Sequence, residues 1–168
     1  MGYLSSTEEM EGGCVAVGYA HGTKVSAENS KTEMKRVVYK NGCANYQYVE
    51  NEERAMVMFT RDERVIRFIV SFPPPEDRMF TKTPTGRRRS ASIAYREYET
   101  ETRRRWRALI LCLKAKFEIV ESGIASFETE FMPYMMLPDK RTVAEAVAPL
   151  IEEAYKTKRM PRLALLPE

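Results

Sequence analysis

Polar and apolar residues alternate with period two over three successive stretches in the first half of the chain. In residues 54–60, Ala55, Val57 and Phe59 alternate with Arg54, Met56, Met58 and Thr60. In residues 64–72, Ile66, Phe68, Val70 and Phe72 face one way and Val65, Arg67, Ile69 and Ser71 the other. Residues 45–50 place Tyr46 and Tyr48 on a common face. Alternation of this kind, with β-branched and aromatic enrichment and short polar turns at Asn51-Glu52 and Arg61-Asp62, predicts an antiparallel three-stranded meander. Pro73-Pro74-Pro75 ends its last strand, because proline has no N–H for the ladder.

The period lengthens to that of a helix on either side of the meander. Ser30-Lys31-Thr32-Glu33 reads as a capping box opening a small helix with Met34, Val37 and Val38, stopped at Asn41-Gly42. A short strand is expected ahead of it at residues 23–27. Residues 73–91 read as a loop rich in Pro, Thr and Arg. A long helix is predicted over residues 92–122, closed by Gly123; at about 1.5 Å per residue it would be about 45 Å long. A compact domain of this size is about 40 Å across, so the helix must cross the whole body or project from it. Tyr95, Thr102, Trp106, Leu109, Leu113, Phe117 and Val120 share one side, predicted to pack on the sheet.

A shorter helical piece is expected at residues 127–131, ending near Pro133. A second capping box, Thr142-Val143-Ala144-Glu145, opens a helix with Val143, Val147, Leu150, Ile151 and Ala154, which Pro149 should kink or split. The tail from Lys156 reads as extended chain on the body. Residues 1–22, rich in Ser, Thr, Glu and Gly, read as a flexible leader in which Cys14 to Val17 could pair as a strand. The expectation is one α+β domain over residues 23–168: a small helix, a three-stranded antiparallel meander, a long helix crossing the sheet and C-terminal helices.

Charge changes this picture. From Arg78 to Lys116 there are twelve Lys or Arg and three acidic residues, a local balance of +9 in a chain whose formal net charge is +3. The remainder therefore carries −6, and such asymmetry points to a polyanionic partner. Arg96, Arg103, Arg107 and Lys114 fall within about 40° of one another beside the apolar side of the long helix. With Arg104 and the loop triplet Arg87, Arg88 and Arg89 they form the candidate nucleic-acid surface, guanidinium being matched to phosphate oxygens. The bland alternative is a solvated face paired with Glu97, Glu99 and Glu101. Trp106 could stack on a base, but shares its face with Leu109 and Leu113 and is read as core. Tyr46, Tyr48, Tyr95 and Tyr98 are better placed for stacking.

Candidate chemistry is sparse. His21, the one histidine, lies in the leader, which argues against a His-rich metal site or a Ser-His-Asp arrangement. Glu118, Glu121, Glu128 and Glu130 could be imagined as a metal cluster for a nuclease, but helix ends rich in solvated Glu are far commoner. Pro138-Asp139-Lys140 lacks the acidic-x-Lys that a nuclease strand requires. Gly12-Gly13 and Gly18 are not followed by Lys-Ser/Thr and make no phosphate loop. No cofactor is expected. Three widely spaced cysteines, 14, 43 and 112, point to a reducing cytoplasm, with Cys112 read as a small buried hydrophobe. The longest apolar run, residues 108–113, is too short for a membrane span.

Arg105-Trp106-Arg107-Ala108-Leu109, Lys114-Ala115-Lys116-Phe117-Glu118 and Glu121-Ser122-Gly123-Ile124 resemble a family of small uncharacterised proteins encoded by bacteriophages and related mobile elements. Thr83-Pro84-Thr85-Gly86-Arg87 upstream, and Leu137-Pro138-Asp139, Arg141-Thr142-Val143 and Met160-Pro161 downstream, extend the resemblance over residues 23–161. It implies a phage or prophage setting in a bacterial host cell and carries no catalytic residue across. The family pattern has glycine at the positions of Lys140 and Lys158, which implies different turns there. The order of elements is also similar to that of single-strand annealing proteins, a likeness of fold alone.

Together these features favour a non-enzymatic nucleic-acid-binding protein, most naturally for single-stranded DNA, accessory to phage replication or recombination. The alternative is a protein-interaction module that docks on or inhibits a host or phage protein. A homo-oligomer is a further expectation, because Ile110 and Phe117 widen the apolar face of the long helix and Tyr134 to Leu137 add an apolar run.

Overall fold

The computed structural model describes residues 25–159. The leader, His21, Cys14 to Val17 and the tail from Met160 lie outside the described residues. The fold is α+β. Helix α1 (Ala27–Lys40) precedes strands β1 (Ala44–Glu50), β2 (Arg54–Arg61) and β3 (Arg64–Ser71). A one-turn helix α2 (Arg78–Thr81), the long helix α3 (Ala91–Glu121), α4 (Phe127–Phe131), a 3-10 turn (Met132–Tyr134) and α5 (Val143–Thr157) follow.

The strands pair antiparallel in the order β1-β2-β3, as the alternation predicts. Tyr48 sits opposite Val57, which sits opposite Phe68, so the inward sets of all three strands coincide. Ala55, Val57, Phe59, Ile66 and Phe68 are buried beneath α1 and α3. The far edge of β3 is covered locally, where Met136 donates its N–H to the Val65 carbonyl at 2.8 Å.

Helix α1 starts earlier than the sequence suggests. Val25 lies in a bend and Ser26 caps Asn29, so no strand forms at the described residues 25–27. Ser30 and Glu33 are interior positions, and Ser30 is fully buried. The pattern S-x-x-E was present, but the serine four residues upstream took the cap and left Glu33 free to reach another element. Asn41 and Gly42, with φ of 73° at the glycine, end the helix as expected.

Buried residues of α3 are confined to Trp106, Leu109, Ile110, Leu113 and Phe117. Tyr95 is assigned to that face by the sequence but is 62% exposed, because the sheet does not extend beneath the first half of the helix. Cys112, expected inside, is also exposed. At 100° per residue it falls more than about 100° from the middle of the buried stripe, however apolar its neighbours. Cys43 is the buried cysteine, and burial pushes its thiol up to about 11.

The other expectations resolve as follows. Both halves of the Thr142–Glu145 capping box are present. Pro149 does not split α5, which runs unbroken with the proline inside it. Ile110 and Phe117 are buried within this chain and Tyr134 and Met135 pack on its core, whereas Leu137 at the end of that run is exposed. Lys140 and Lys158 hold φ of 68° and 54°, the left-handed conformation that glycine adopts without strain, so lysine keeps a glycine-type turn at both.

Trp106 anchors the core. It is fully buried, meets Tyr48 edge-on at 6.2 Å and Phe72 at 6.4 Å, and its indole N–H donates to Glu50 at 3.2 Å. Glu50 also accepts from Lys31 at 2.5 Å, whose ammonium lies 5.1 Å from the Trp106 ring centroid and 5.2 Å from that of Tyr48. Burial opposes the charge on Lys31, but hydrogen bonds to Glu28 and Glu50 outweigh it and hold the ammonium above its ordinary value. Trp106→Ala should destabilise the fold by about 3–5 kcal/mol in chemical denaturation. An unchanged melting temperature would exclude this anchoring role.

Candidate nucleic-acid interface

Two of the four basic side chains of the α3 stripe, Arg107 and Lys114, have an acidic partner within the chain, as does the neighbouring Arg104. Arg107 donates to Glu33 of α1 at 2.6 Å, and Lys114 binds the other oxygen of the same carboxylate. Arg104 makes a two-pronged contact with Glu101 at 2.6 and 2.7 Å. Arg105 shares that carboxylate at 2.7 Å and reaches the Ser71 carbonyl at the end of β3. Arg103 is half-buried, donates to Thr100 Oγ1 at 3.0 Å and has an Nε without a partner. Arg103, Arg107 and Lys114 share one side of α3, as their spacing predicts, whereas Arg105 points the other way, to the end of β3. That side is where α1 docks, so Arg107 and Lys114 are clamps rather than free phosphate contacts, and Arg104 is taken by Glu101.

The clamp is charged on both sides. The hydrogen bond from Lys114, with the charges of Lys114 and Arg107, holds the Glu33 carboxyl below its ordinary value despite partial burial. Burial acts against ionisation of Glu101, but Arg104 and Arg105 overcome it and lower that group too.

The unpaired cations lie elsewhere. Arg78, Lys82, Arg87, Arg88 and Arg96 are exposed and make no ion pair among the described residues. The segment carrying the first four is folded, although the sequence reads as a loop. Asp77 caps α2 by accepting from the Met79 N–H at 2.8 Å, and Phe80 is buried edge-on against Tyr98 at 5.7 Å. The chain then doubles back: Thr83 N–H donates to the Arg87 carbonyl at 2.8 Å, and Lys82 bridges to Arg88. Arg89 donates to the Met79 and Phe80 carbonyls at 2.9 and 3.2 Å, fastening the returning strand to α2.

Between this fold-back and the start of α3 lies an open cleft of about 810 Å³ lined by Thr81, Lys82, Arg88, Arg89, Ala91, Ala94 and Tyr95, together with Pro75 and Glu76. A second hollow of about 450 Å³ continues past Arg78, Met79, Thr83 and Pro84, sharing Lys82 and Arg89. The first turn of α3 contains no acidic residue, and the Ser90 side chain does not cap it. The positive end of a 31-residue helix is therefore presented to the cleft with no acid in its own first turn, and Glu76 is the one acidic residue in the cleft lining. Of the four tyrosines considered for stacking, Tyr46 packs on the core, Tyr48 covers Trp106 and Tyr98 covers Phe80. Tyr95 is the one that lines the cleft with most of its surface in solvent.

Of the eight basic residues selected from the sequence, the structure brings Arg88 and Arg89 to the cleft. Arg87 lies beside them in the chain, and Arg96 follows Tyr95 on α3. Sequence reasoning passed over Arg78 and Lys82, and placed Tyr95 in the core. The legible signal was Asp77-x-Met79-Phe80, a cap followed by an apolar anchor, which marks residues 77–82 as folded. The imagined carboxylate cluster does not assemble: Glu128 pairs with Arg64 and Glu130 with Lys116. No group of three metal-ligating side chains forms among the described residues. None of the described helices is long and apolar enough to cross a membrane.

No protein-family model, curated protein or solved structure matches the chain.

The Glu33 clamp has a measurable signature. Because its carboxylate is favoured on folding, its contribution is complete above the ordinary value of 4.5 and is lost as the pH falls through the lowered folded value. Glu33→Gln should cost about 1 kcal/mol at pH 7, or about 2–4 °C in melting temperature. The same variant should show a shallower loss of stability below pH 4.5 than the parent. Identical acid-unfolding profiles would remove Glu33 from the α1–α3 contact.

Proposed function

We propose that this protein binds single-stranded nucleic acid without catalysing a reaction on it, most naturally single-stranded DNA in phage-type replication or recombination. The observation that carries this reading is the convergence on one open cleft of unpaired Lys82 and Arg88, the uncapped start of α3 and the exposed ring of Tyr95. Cations and helix N–H groups supply an attraction for phosphate that does not depend on sequence. An exposed ring beside them offers a platform for an unpaired base, which a duplex would keep stacked on its neighbours. Arg78, Arg87 and Arg96 extend the basic surface, so a strand longer than one nucleotide has further phosphate contacts beyond the cleft.

This reading separates two groups of basic residues that look alike in the sequence. Lys82→Ala with Arg88→Ala should weaken binding of a single-stranded oligonucleotide by about tenfold, about 1.4 kcal/mol, without changing the melting temperature. Arg107→Ala with Lys114→Ala should do the reverse, lowering the melting temperature and leaving intrinsic affinity near that of the parent. The salt dependence of log K should have a slope of about −0.7 per neutralised phosphate, and the Lys82/Arg88 pair should flatten it. Tyr95→Ala should cost about 1–3 kcal/mol for single strands and much less for duplex. Binding that ignores salt, or that depends on Arg107 and Lys114 while ignoring Lys82 and Arg88, would overturn the assignment.

A further inference from the structure

Helix α5 carries more apolar surface than the described residues cover. Val143, Val147 and Leu150 are half-buried, on the side where α5 meets the 3-10 turn. Ala144, Ala148, Ile151 and Tyr155 are exposed, Ile151 to 50% and Tyr155 to 83%. Their spacing of four, three and four residues gathers them within an arc of about 60°, the pattern of a seam between two helices. Pro149 lies on the opposite side of the helix and leaves this seam continuous. No residue of α5 is fully buried, so the element is held to the body by its capped first turn and by Glu145, which binds Arg67 at 2.5 Å.

The order of side-chain sizes along the seam selects the occupant. The two alanines stand near the start of the helix, and isoleucine and tyrosine near its end. Against an antiparallel copy of the same helix, Tyr155 and Ile151 fall opposite Ala144 and Ala148, large onto small at both ends of a two-fold axis. A parallel copy would set tyrosine on tyrosine and leave a gap between alanines. Close-packed helix contacts require ridges to meet grooves, and the antiparallel arrangement meets that requirement twice with one sequence.

We infer that α5 is a self-association helix, pairing antiparallel with α5 of a second copy through Ala144, Ala148, Ile151 and Tyr155. The area sets the strength. A seam of twelve residues is about 18 Å long and about 12 Å wide, so each copy contributes about 200 Å² in projection, well under what a permanent dimer needs. The pair is therefore weak and concentration-dependent, appearing only at high protein concentration.

The test uses the full chain without nucleic acid, so that its outcome is independent of the binding cleft. Sedimentation over a concentration series should show the mass rising from 19.4 kDa towards twice that value. Ile151→Glu, and separately Ala148→Glu, should hold the monomer mass with an unchanged melting temperature. Orientation is read by mixing Ala148→Cys and Ile151→Cys chains whose Cys14 and Cys112 have been replaced by serine. Under mild oxidation the mixed 148–151 cross-link should dominate. A mass fixed at 19.4 kDa to several hundred micromolar, association untouched by both glutamate variants, or a dominant 148–148 cross-link would each overturn the proposal.

Discussion

Burial of the Trp106–Phe117 stripe of α3 against the three-stranded sheet is the contact on which the remaining elements depend, and its geometry limits how much of the helix can be covered. A strand of eight residues is about 26 Å long, whereas a helix of 31 residues extends about 46 Å. The sheet and α1 take the second half of the helix, where all its fully buried side chains lie. The first half lacks that support and carries Tyr95 into solvent. α2 packs there through Phe80 on Tyr98, with the start of α1 and the β1–β2 turn reaching no further than Tyr98 among the described contacts. The cleft follows from this mismatch in length, because the uncovered helix start and the fold-back beside it leave space that no core residue fills.

Electrostatics then divides the basic residues by position rather than by type. A cation flanking a buried stripe is close to whatever packs next to that stripe. Arg107 and Lys114 are within reach of α1, and Glu33 meets both. Glu101, on the helix itself, sits where Arg104 and Arg105 can close on it three and four residues later. Arg78, Lys82, Arg87 and Arg88 stand on a fold-back where the nearby acids do not close on them: Asp77 caps α2, and Glu76 lines the cleft without an ion pair among the described residues. The same separation places structural charge near the middle of the molecule and available charge at one end of α3. The exposed seam of α5 lies in a different element from the cleft, so the proposed self-association and the proposed strand binding are compatible: two copies would offer two clefts to one strand, and linkage of this kind strengthens binding without new contacts.

Much of the fold was legible because it rests on local periodicity. Alternation at residues 54–60 and 64–72 fixed the inward faces of β2 and β3, since successive strand side chains point to opposite sides. The 3.6-residue repeat defined α3 to within a residue at either end, and Gly123 marked its stop. Reciprocal Thr142 and Glu145 hydrogen bonds were also written locally, within one turn. Where two local signals competed the reading failed: Ser26 and Ser30 could each cap α1, and the burial of Ser30 beneath the core settled which did.

What the sequence determined by itself is the meander, the longer helices, most of their faces and a bipolar distribution of charge; α2 and the places of Tyr95 and Cys112 were not among them. What only the tertiary structure decided is which charges are used up. Glu33 lies 74 residues from Arg107 and 81 from Lys114, and no periodicity links positions so far apart. Their meeting depends on α1 crossing beside α3 once both have packed on the sheet. The exposure of Tyr95 was likewise undecided, because helical spacing assigns a side chain to a face but not to a partner. A face becomes core only where another element reaches it, and that reach is a property of relative lengths and packing in three dimensions.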